Sequence, residues 1–253
     1  MTIRTVTRGA LTFTAVTVLV TRGEVLAFVR EHCGLTATSV MADVGSGTGM
    51  LAEVFLENGN RVFAIEPNAE MRDACKELEA SHSGLRCIDG TAEATTLPKH
   101  SVDIVMAGRA FHWFNQEQCR PEFLRILRPG GWVMLTNLAR RTGAEPLLRD
   151  FEDLRMKYGL DYATTLAKFD MDAACRKFFA DGEIQSAELQ VVQKLNYEEL
   201  EGQTRSFSVM PQPGDAVYPA MQHALRDYFA RYQSGGTVLV PMDCPIYVGQ
   251  LER

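Results

Sequence analysis

The stretch Val40-Met41-Ala42-Asp43-Val44-Gly45-Ser46-Gly47-Thr48-Gly49-Met50-Leu51 constrains the fold more than any other part of the chain. Val40 to Val44 is a short apolar run with β-branched residues, the pattern of a buried strand. Three glycines then alternate with small polar residues. Glycine has no Cβ, so the backbone can turn sharply there and a ligand can come close to it. Apolar residues at helical spacing resume from Leu51 to Leu56. Strand, glycine turn and helix in that order form a cradle of the kind that holds nucleotide cofactors. The dinucleotide fingerprint G-x-G-x-x-G does not fit, because counted from Gly45 its last glycine falls on Met50.

The segments around this cradle alternate in type. Gly23 to Glu31 has helical apolar spacing and is closed by Gly34. Arg61 to Ile65 is a second short apolar run, ending at Glu66-Pro67-Asn68, and a helix follows to about Ala80. Leu85 to Ile88 and Val102 to Ala107 read as third and fourth strands. Gln116 to Leu127 reads as a helix, stopped by a turn at Arg128-Pro129-Gly130-Gly131, and Trp132 to Thr136 as a fifth strand. Such alternation implies βαβ units and a mainly parallel sheet with right-handed crossovers. Glu66 then falls at the C-terminal end of a strand, about 20 residues past the glycine turn, where open parallel sheets bind ligands. A carboxylate placed there can accept hydrogen bonds from both hydroxyls of a ribose.

After Asn137 the rhythm changes. Residues 145–182 are largely helical in pattern, with Leu147, Leu148, Phe151 and Leu154 on an apolar face. Ile184 to Leu195 returns as a strand. Tyr197 to Phe207 and Ala216 to Tyr232 read as helices, and Thr237 to Val240 with Ile246 to Gln250 as a last strand or hairpin. The expected segments are an N-terminal arm at 1–22, a core at 23–140, a helical cap insertion at 141–182, and a C-terminal completion of the sheet at 183–253.

Composition removes several classes of function. The net charge is −6 and no run of Lys or Arg occurs, which argues against nucleic acid as a partner. The six cysteines are scattered, with no C-x-x-C pair and none at zinc-ligand spacing from a histidine, so no metal site is expected. They read as reduced thiols of a cytoplasmic protein. Arg4 and Arg8 precede an apolar run, but Thr12, Thr14 and Thr17 interrupt it and no cleavage motif follows. It is too short to span a bilayer as a helix, so a β-prone arm packed on the domain is expected and no membrane partner.

With Asp43 ahead of the glycines, the pattern D-x-G-x-G-x-G resembles the first motif of the class I S-adenosylmethionine (SAM)-dependent methyltransferases. Further along, Ala110-Phe111-His112-Trp113-Phe114 resembles the A-F-H-W-F segment of small-molecule methyltransferases, the type 11 and trans-aconitate methyltransferase-like group. Gly90-Thr91-Ala92-Glu93 and Arg128-Pro129-Gly130-Gly131-Trp132 stand where that family has its adenine loop and the turn before its fifth strand. The resemblance covers about residues 24 to 138. It implies an α/β, Rossmann-like, doubly wound sheet of seven strands, mainly parallel, with an antiparallel last strand. It also implies SAM as cofactor and S-adenosylhomocysteine (SAH) as product. The positions it assigns to the cofactor are Asp43, Gly45, Ser46, Gly47, Thr48, Gly49, Glu66, Pro67, Met71, Thr91, Ala92, Glu93 and Arg109.

The aromatic segment could wall the transfer site, where aromatic faces favour a sulfonium cation. His112 could serve as general base for a hydroxyl acceptor, its ordinary pKa lying near working pH, or could orient the substrate instead. Two departures from the family stand out. Thr91 occupies a position that is often acidic. Val16 to Arg22 also lacks the Tyr- and Arg-containing segment that covers the cofactor in relatives. The resemblance implies methyl transfer to a small-molecule acceptor, with O-methylation of a carboxylate or hydroxyl favoured, by a monomer or homodimer. The rival reading is a non-catalytic SAM-binding or partner-binding protein; an NAD-dependent oxidoreductase is disfavoured by Met50.

Overall fold

A computed structural model describes residues 17–19, 22–141, 143–160, 170–180, 182–207 and 209–252. In chain order these form β1 (Thr17–Leu19), α1 (Arg22–Cys33), β2 (Val40–Val44), α2 (Met50–Glu57), β3 (Arg61–Ile65), α3 (Ala69–Ser81), β4 (Leu85–Ile88) and β5 (Val102–Gly108). A 3-10 turn (Phe111–Trp113) follows, then α4 (Gln116–Ile126), β6 (Leu127–Thr136), β7 (Ala139–Arg140), α5 (Pro146–Tyr158) and α6 (Met171–Phe179). The chain continues with β8 (Ile184–Leu195), α7 (Tyr197–Ser206), α8 (Tyr218–Tyr232) and β9 (Val238–Gly249). Contacts divide the chain into two compact units. One is drawn from 21–139, 170–189 and 244–253, the other from 1–20, 140–169 and 190–243, as far as these are described.

The first unit holds the site. Its strands, with β8 present up to residue 189 and β9 from residue 244, lie in the order β8-β9-β6-β5-β2-β3-β4. The pairs β2–β3, β2–β5, β3–β4 and β5–β6 are parallel, and β9 joins β6 antiparallel. This is the seven-stranded, mainly parallel sheet expected from sequence. Side chains alternate between its faces, as the pleat requires. Val40, Ala42 and Val44 of β2, with Val105 and Ala107 of β5, pack under α4 and α6 through Phe123, Ile126, Phe178 and Phe179. Met41, Ile104 and Met106 face the other way, toward Val25 and Val29 of α1, Phe55 of α2 and Cys75 of α3. Burial on both faces explains why the sequence of these strands is continuously apolar. The chain runs from β2 outward to β3 and β4, then returns to β5 on the other side of β2. The strand order therefore reverses between β2 and β5, which is where an open α/β sheet leaves a crevice at its C-terminal edge.

One sequence expectation is corrected here, and one left open between two forms takes the first. Arg128 to Gly131 is not a turn ahead of a strand but part of β6, which starts at Leu127. Val102 pairs with Leu127 and Ile104 with Trp132, so the extra residues bulge out of the ladder, with Gly130 at φ 78°. A glycine inside a strand often marks such a bulge. Of the last strand or hairpin expected over 237–250, residues 238–249 form the single strand, through Pro241 and Pro245. The pairs with β6 begin at Ile246, beyond both prolines, so neither removes a donor from that ladder.

In the second unit, α5 packs on α8. Phe151 stacks on Tyr228 at 4.9 Å between ring centroids, Tyr228 donates to the Leu147 carbonyl, and Tyr232 donates to Asp150 at 2.6 Å. β1 pairs antiparallel with β8, Thr17 opposite Lys194. A capping box of Asn196 and Glu199 starts α7. This division differs from the segments read in the sequence: α6 belongs with the sheet, and 190–243 with the insertion. The arm at 1–16 and residues 20–21 lie outside the described residues, and with them Val16, Val20 and Thr21 of the atypical Val16 to Arg22 segment.

Candidate active site

Four consecutive strand ends supply the candidate site: 45–49 after β2, 66–68 after β3, 89–93 after β4 and 109–114 after β5. The parallel registers of these strands bring the four loops to one edge of the sheet. The glycine turn is anchored first. The amides of Gly45 and Ser46 both donate to the Ile65 carbonyl, at 2.8 and 3.1 Å, so the turn bends over the end of β3.

The glycines serve different ends. Gly45, at φ 68°, lies so close to the loop after β5 that a Cβ there would come within 2.6 Å of Ala110 Cβ and 3.3 Å of the Phe114 ring. Among the described residues, a Cβ on Gly47, at φ 57°, would meet only Met71 Sδ, at 4.0 Å. Among the described residues, the hollow is thus filled by protein beside Gly45 and clear above Gly47. Thr48 is half-buried beside it.

Glu66 ties the turn to the next strand. The Gly47 amide donates to its Oε2 and the Asn68 amide to its Oε1, both at 2.9 Å, and the residue is 7% exposed. An ionised carboxylate offers about four lone-pair sites. Two are used by these amides, and each oxygen keeps one for a further donor. A vicinal diol is the simplest ligand to use both. Pro67 is exposed, and Met71 is half-buried in the first turn of α3, where Asn68 caps the helix by accepting the Met71 amide.

Asp43 is differently placed. It is 1% exposed beneath the turn, and neither carboxylate oxygen has a hydrogen-bond partner. Burial pushes its pKa up to about 7; the nearby Ala52 amide, outside hydrogen-bonding geometry, pulls it down, and the Glu66 charge raises it. Asp43 therefore acts on the site through the turn above it, not through an exposed oxygen. Ser46 Oγ is likewise buried without a partner. A folded-state pKa above the ordinary value means that the folded protein binds the proton more tightly than the unfolded chain. The stabilisation is full below about pH 4 and is lost as the pH rises through about 7. We expect thermal melts to show stability falling between about pH 4 and pH 7, and Asp43→Asn to flatten that slope. An unchanged slope in the variant would place the titration elsewhere.

The loops after β4 and β5 are fastened together. Glu93 Oε1 accepts the Asn115 amide at 2.9 Å, so one of its oxygens is committed to bracing the two loops. Thr91 is exposed and Ala92 buried. Arg109, exposed at the tip of β5, has φ 59°, a left-handed conformation that costs a non-glycine residue energy, and its amide is held by the Thr136 carbonyl at 3.0 Å. His112 is also exposed. Desolvation by the protein around its ring, and then the Arg109 charge, lower its pKa, which favours the neutral, proton-accepting imidazole. Its ring lies 4.9 Å from that of Trp113, which is 75% exposed. Phe111 and Phe114 meet edge to face behind it.

One residue was missed in the sequence. Arg72 Nη1 donates to the carbonyls of Glu66 and Pro67, at 2.7 and 3.1 Å, and pairs with Asp89 at 3.2 Å. It clamps the loops after β3 and β4 to each other. Helical side chains lean toward the helix N-terminus, so an arginine in the first turn after an acidic strand end was the available signal.

The sheet order and the site at its switch point define the class I methyltransferase fold. Comparison with known proteins points the same way: residues 42–135 match the family model described as a methyltransferase domain. An uncharacterized methyltransferase of Mycobacterium tuberculosis (strain H37Rv) is 40% identical over 89 residues, 35% of this chain and 35% of that protein. The matched stretch thus spans about a third of the length of these curated relatives. One from Schizosaccharomyces pombe is 28% identical over 113 residues, 44% of each chain. Among solved structures, a protein of Anabaena variabilis described as a methyltransferase of an antibiotic biosynthesis pathway superimposes with a TM-score of 0.61. The match has 19% identity and covers 90% of this chain and 97% of that one. A geranyl diphosphate methyltransferase solved in complex with SAM superimposes with a TM-score of 0.51. That match has 12% identity and covers 90% of this chain and 85% of the other. At these identities the structures speak for the fold alone.

Proposed function

We propose that this protein transfers a methyl group from SAM to a small-molecule acceptor. The observation that carries the reading is Glu66, buried at the tip of β3, with one lone pair left on each oxygen and facing a turn that is open above Gly47. That arrangement fits an adenosine ribose. SAM, when bound, supplies an electrophilic methyl group on a cationic sulfur. The chain supplies the rest. Gly47 offers backbone at close range, Glu66 accepts hydrogen bonds from the hydroxyls, and the loop after β5 offers aromatic surface and an imidazole.

Transfer by in-line displacement needs little besides positioning, which can itself be worth about 7–11 kcal/mol. A carboxylate acceptor requires no base. A hydroxyl acceptor gains from His112, whose lowered pKa leaves it neutral and able to take the proton. Because methyl transfer to oxygen serves both, we favour O-methylation of a carboxylate or hydroxyl. An acidic chain with few basic clusters supports a small molecule over nucleic acid as acceptor. Among the described residues no helix is long and apolar enough to cross a membrane.

The test uses SAM carrying a labelled methyl group and panels of carboxylic acids, phenols and alcohols. Label is expected in at least one acceptor class, with SAH formed in equal amount. His112→Gln should slow a hydroxyl acceptor and spare a carboxylate. Calorimetry showing NAD bound and SAM not bound would overturn the proposal.

A further inference from the structure

Cys75 and Cys87 lie apart in the sequence and together in the fold. Cys75 is fully buried in α3, Cys87 is half-buried on β4, and their sulfurs are 3.0 Å apart. Parity puts them on the same face of the sheet: Leu85 and Cys87 point toward α3, Ile88 away from it. The remaining thiols are differently engaged. Cys119 donates to the Gln116 carbonyl and Cys244 lies 3.4 Å from Thr136 Oγ1.

The separation selects the chemistry. Two thiolates sharing a tetrahedral zinc ion, with Zn–S near 2.3 Å, sit about 3.8 Å apart. A disulfide needs about 2.05 Å. At 3.0 Å the pair is already inside the metal span and about 1 Å from a bond. No group of three metal-ligating side chains occurs among the described residues.

The pair also touches the machinery of the site. A Cβ on Gly49 would lie 3.1 Å from Cys75 Sγ, so this thiol packs directly on the glycine turn. The carboxylates of Asp43 and Glu66 both act electrostatically on it. Helix α3 also carries Asn68 at its cap and Met71, whose sulfur is the one atom near the open side of Gly47.

We propose that Cys75 and Cys87 are a reversible dithiol–disulfide pair, closed by hydroperoxides, that alters how the glycine turn is seated. Cys87, the half-exposed member, meets the oxidant. Its thiolate attacks the peroxide oxygen, giving a sulfenic acid and releasing water or an alcohol. The Cys75 sulfur then attacks the Cys87 sulfur, the S–S bond forms, and a second water leaves. Two thiols are oxidised and one peroxide is reduced. Burial holds both thiols above their ordinary pKa, so the pair answers to sustained oxidant and not to traces. Bond formation draws α3 and β4 together at the sulfur that supports Gly49.

Reduced full-length protein is treated with hydrogen peroxide and mapped by mass spectrometry without reduction. A peptide linking Cys75 to Cys87 is expected in most molecules, removed by dithiothreitol and absent from Cys87→Ser. Oxidation of Cys33 or Cys244 with the pair left reduced, or Cys87 carried to sulfinic acid with Cys75 untouched, overturns the proposal. A second arm, which rests on the cofactor reading above, measures SAH affinity by calorimetry. We expect at least threefold weaker binding by the oxidised protein, and no change on peroxide treatment of Cys87→Ser. Equal affinity of both wild-type forms overturns the coupling to the turn. If SAH binds neither form, the cofactor reading fails and the coupling with it, while the cross-link is judged on the mass spectra alone.

Discussion

Replacing Glu66 by alanine is expected to weaken SAH binding at least tenfold and as much as a hundredfold. Two acceptor positions for the ribose disappear, and charge-assisted hydrogen bonds of this kind contribute about 1.5–3 kcal/mol. The same substitution releases the amides of Gly47 and Asn68, which Glu66 holds at 2.9 Å each. The loss therefore has two sources, and Glu66→Gln separates them. Glutamine keeps one acceptor oxygen but must turn its NH2 toward one of the two amides, so an intermediate loss is expected. Calorimetry with SAH on the three proteins, with circular dichroism to confirm folding, measures the effect. Affinity in Glu66→Ala equal to that of the wild type would remove the ribose from this carboxylate.

Gly45→Ala is expected to damage the fold itself. At φ 68° an added side chain enters left-handed territory, a cost of about 1–2 kcal/mol. Its Cβ would also lie 2.6 Å from Ala110 Cβ, and overpacking of this kind costs about 1–3 kcal/mol. Together they predict about 2–5 kcal/mol, a fall in Tm of roughly 4–20 °C for a chain of this size. The double variant Gly45→Ala with Ala110→Gly should regain the overpacking part and keep the backbone part. Thermal melts of the two variants check both contributions. A single variant melting within a degree of the wild type would mean that the turn and the loop after β5 do not meet as described.

Much of the fold was legible because its signals are local. β2, β3 and β4 begin and end where the sequence places them, since each is a short apolar run bounded by turn-forming residues. A helix start at Pro67 or Asn68 was recognisable for the same reason, and Asn68 is the one that caps it. The errors arose where tertiary pairing overrides local preference. Arg128-Pro129-Gly130-Gly131 has turn composition, yet β5 alongside keeps it in the sheet as a bulge. For 237–250 the sequence left a single strand or a hairpin open, and the ladder that β9 makes with β6 beyond Pro241 and Pro245 decides for the strand.

The candidate site divides in the same way. The glycines and Glu66 announce themselves by spacing. The bond from Glu93 to the Asn115 amide, the Arg72 clamp and the burial of Asp43 join residues that lie far apart in the chain or depend on what packs around them. No periodicity encodes such contacts.

The exposed indole of Trp113 has a practical consequence. The chain contains only two tryptophans. Trp132 is half-buried within β6, whereas Trp113 stands at the rim of the candidate site beside an imidazole. The protein's ultraviolet emission is therefore divided between a fixed reference inside the sheet and a sensor at the mouth of the cleft, so that it carries its own optical gauge of occupancy without an attached dye.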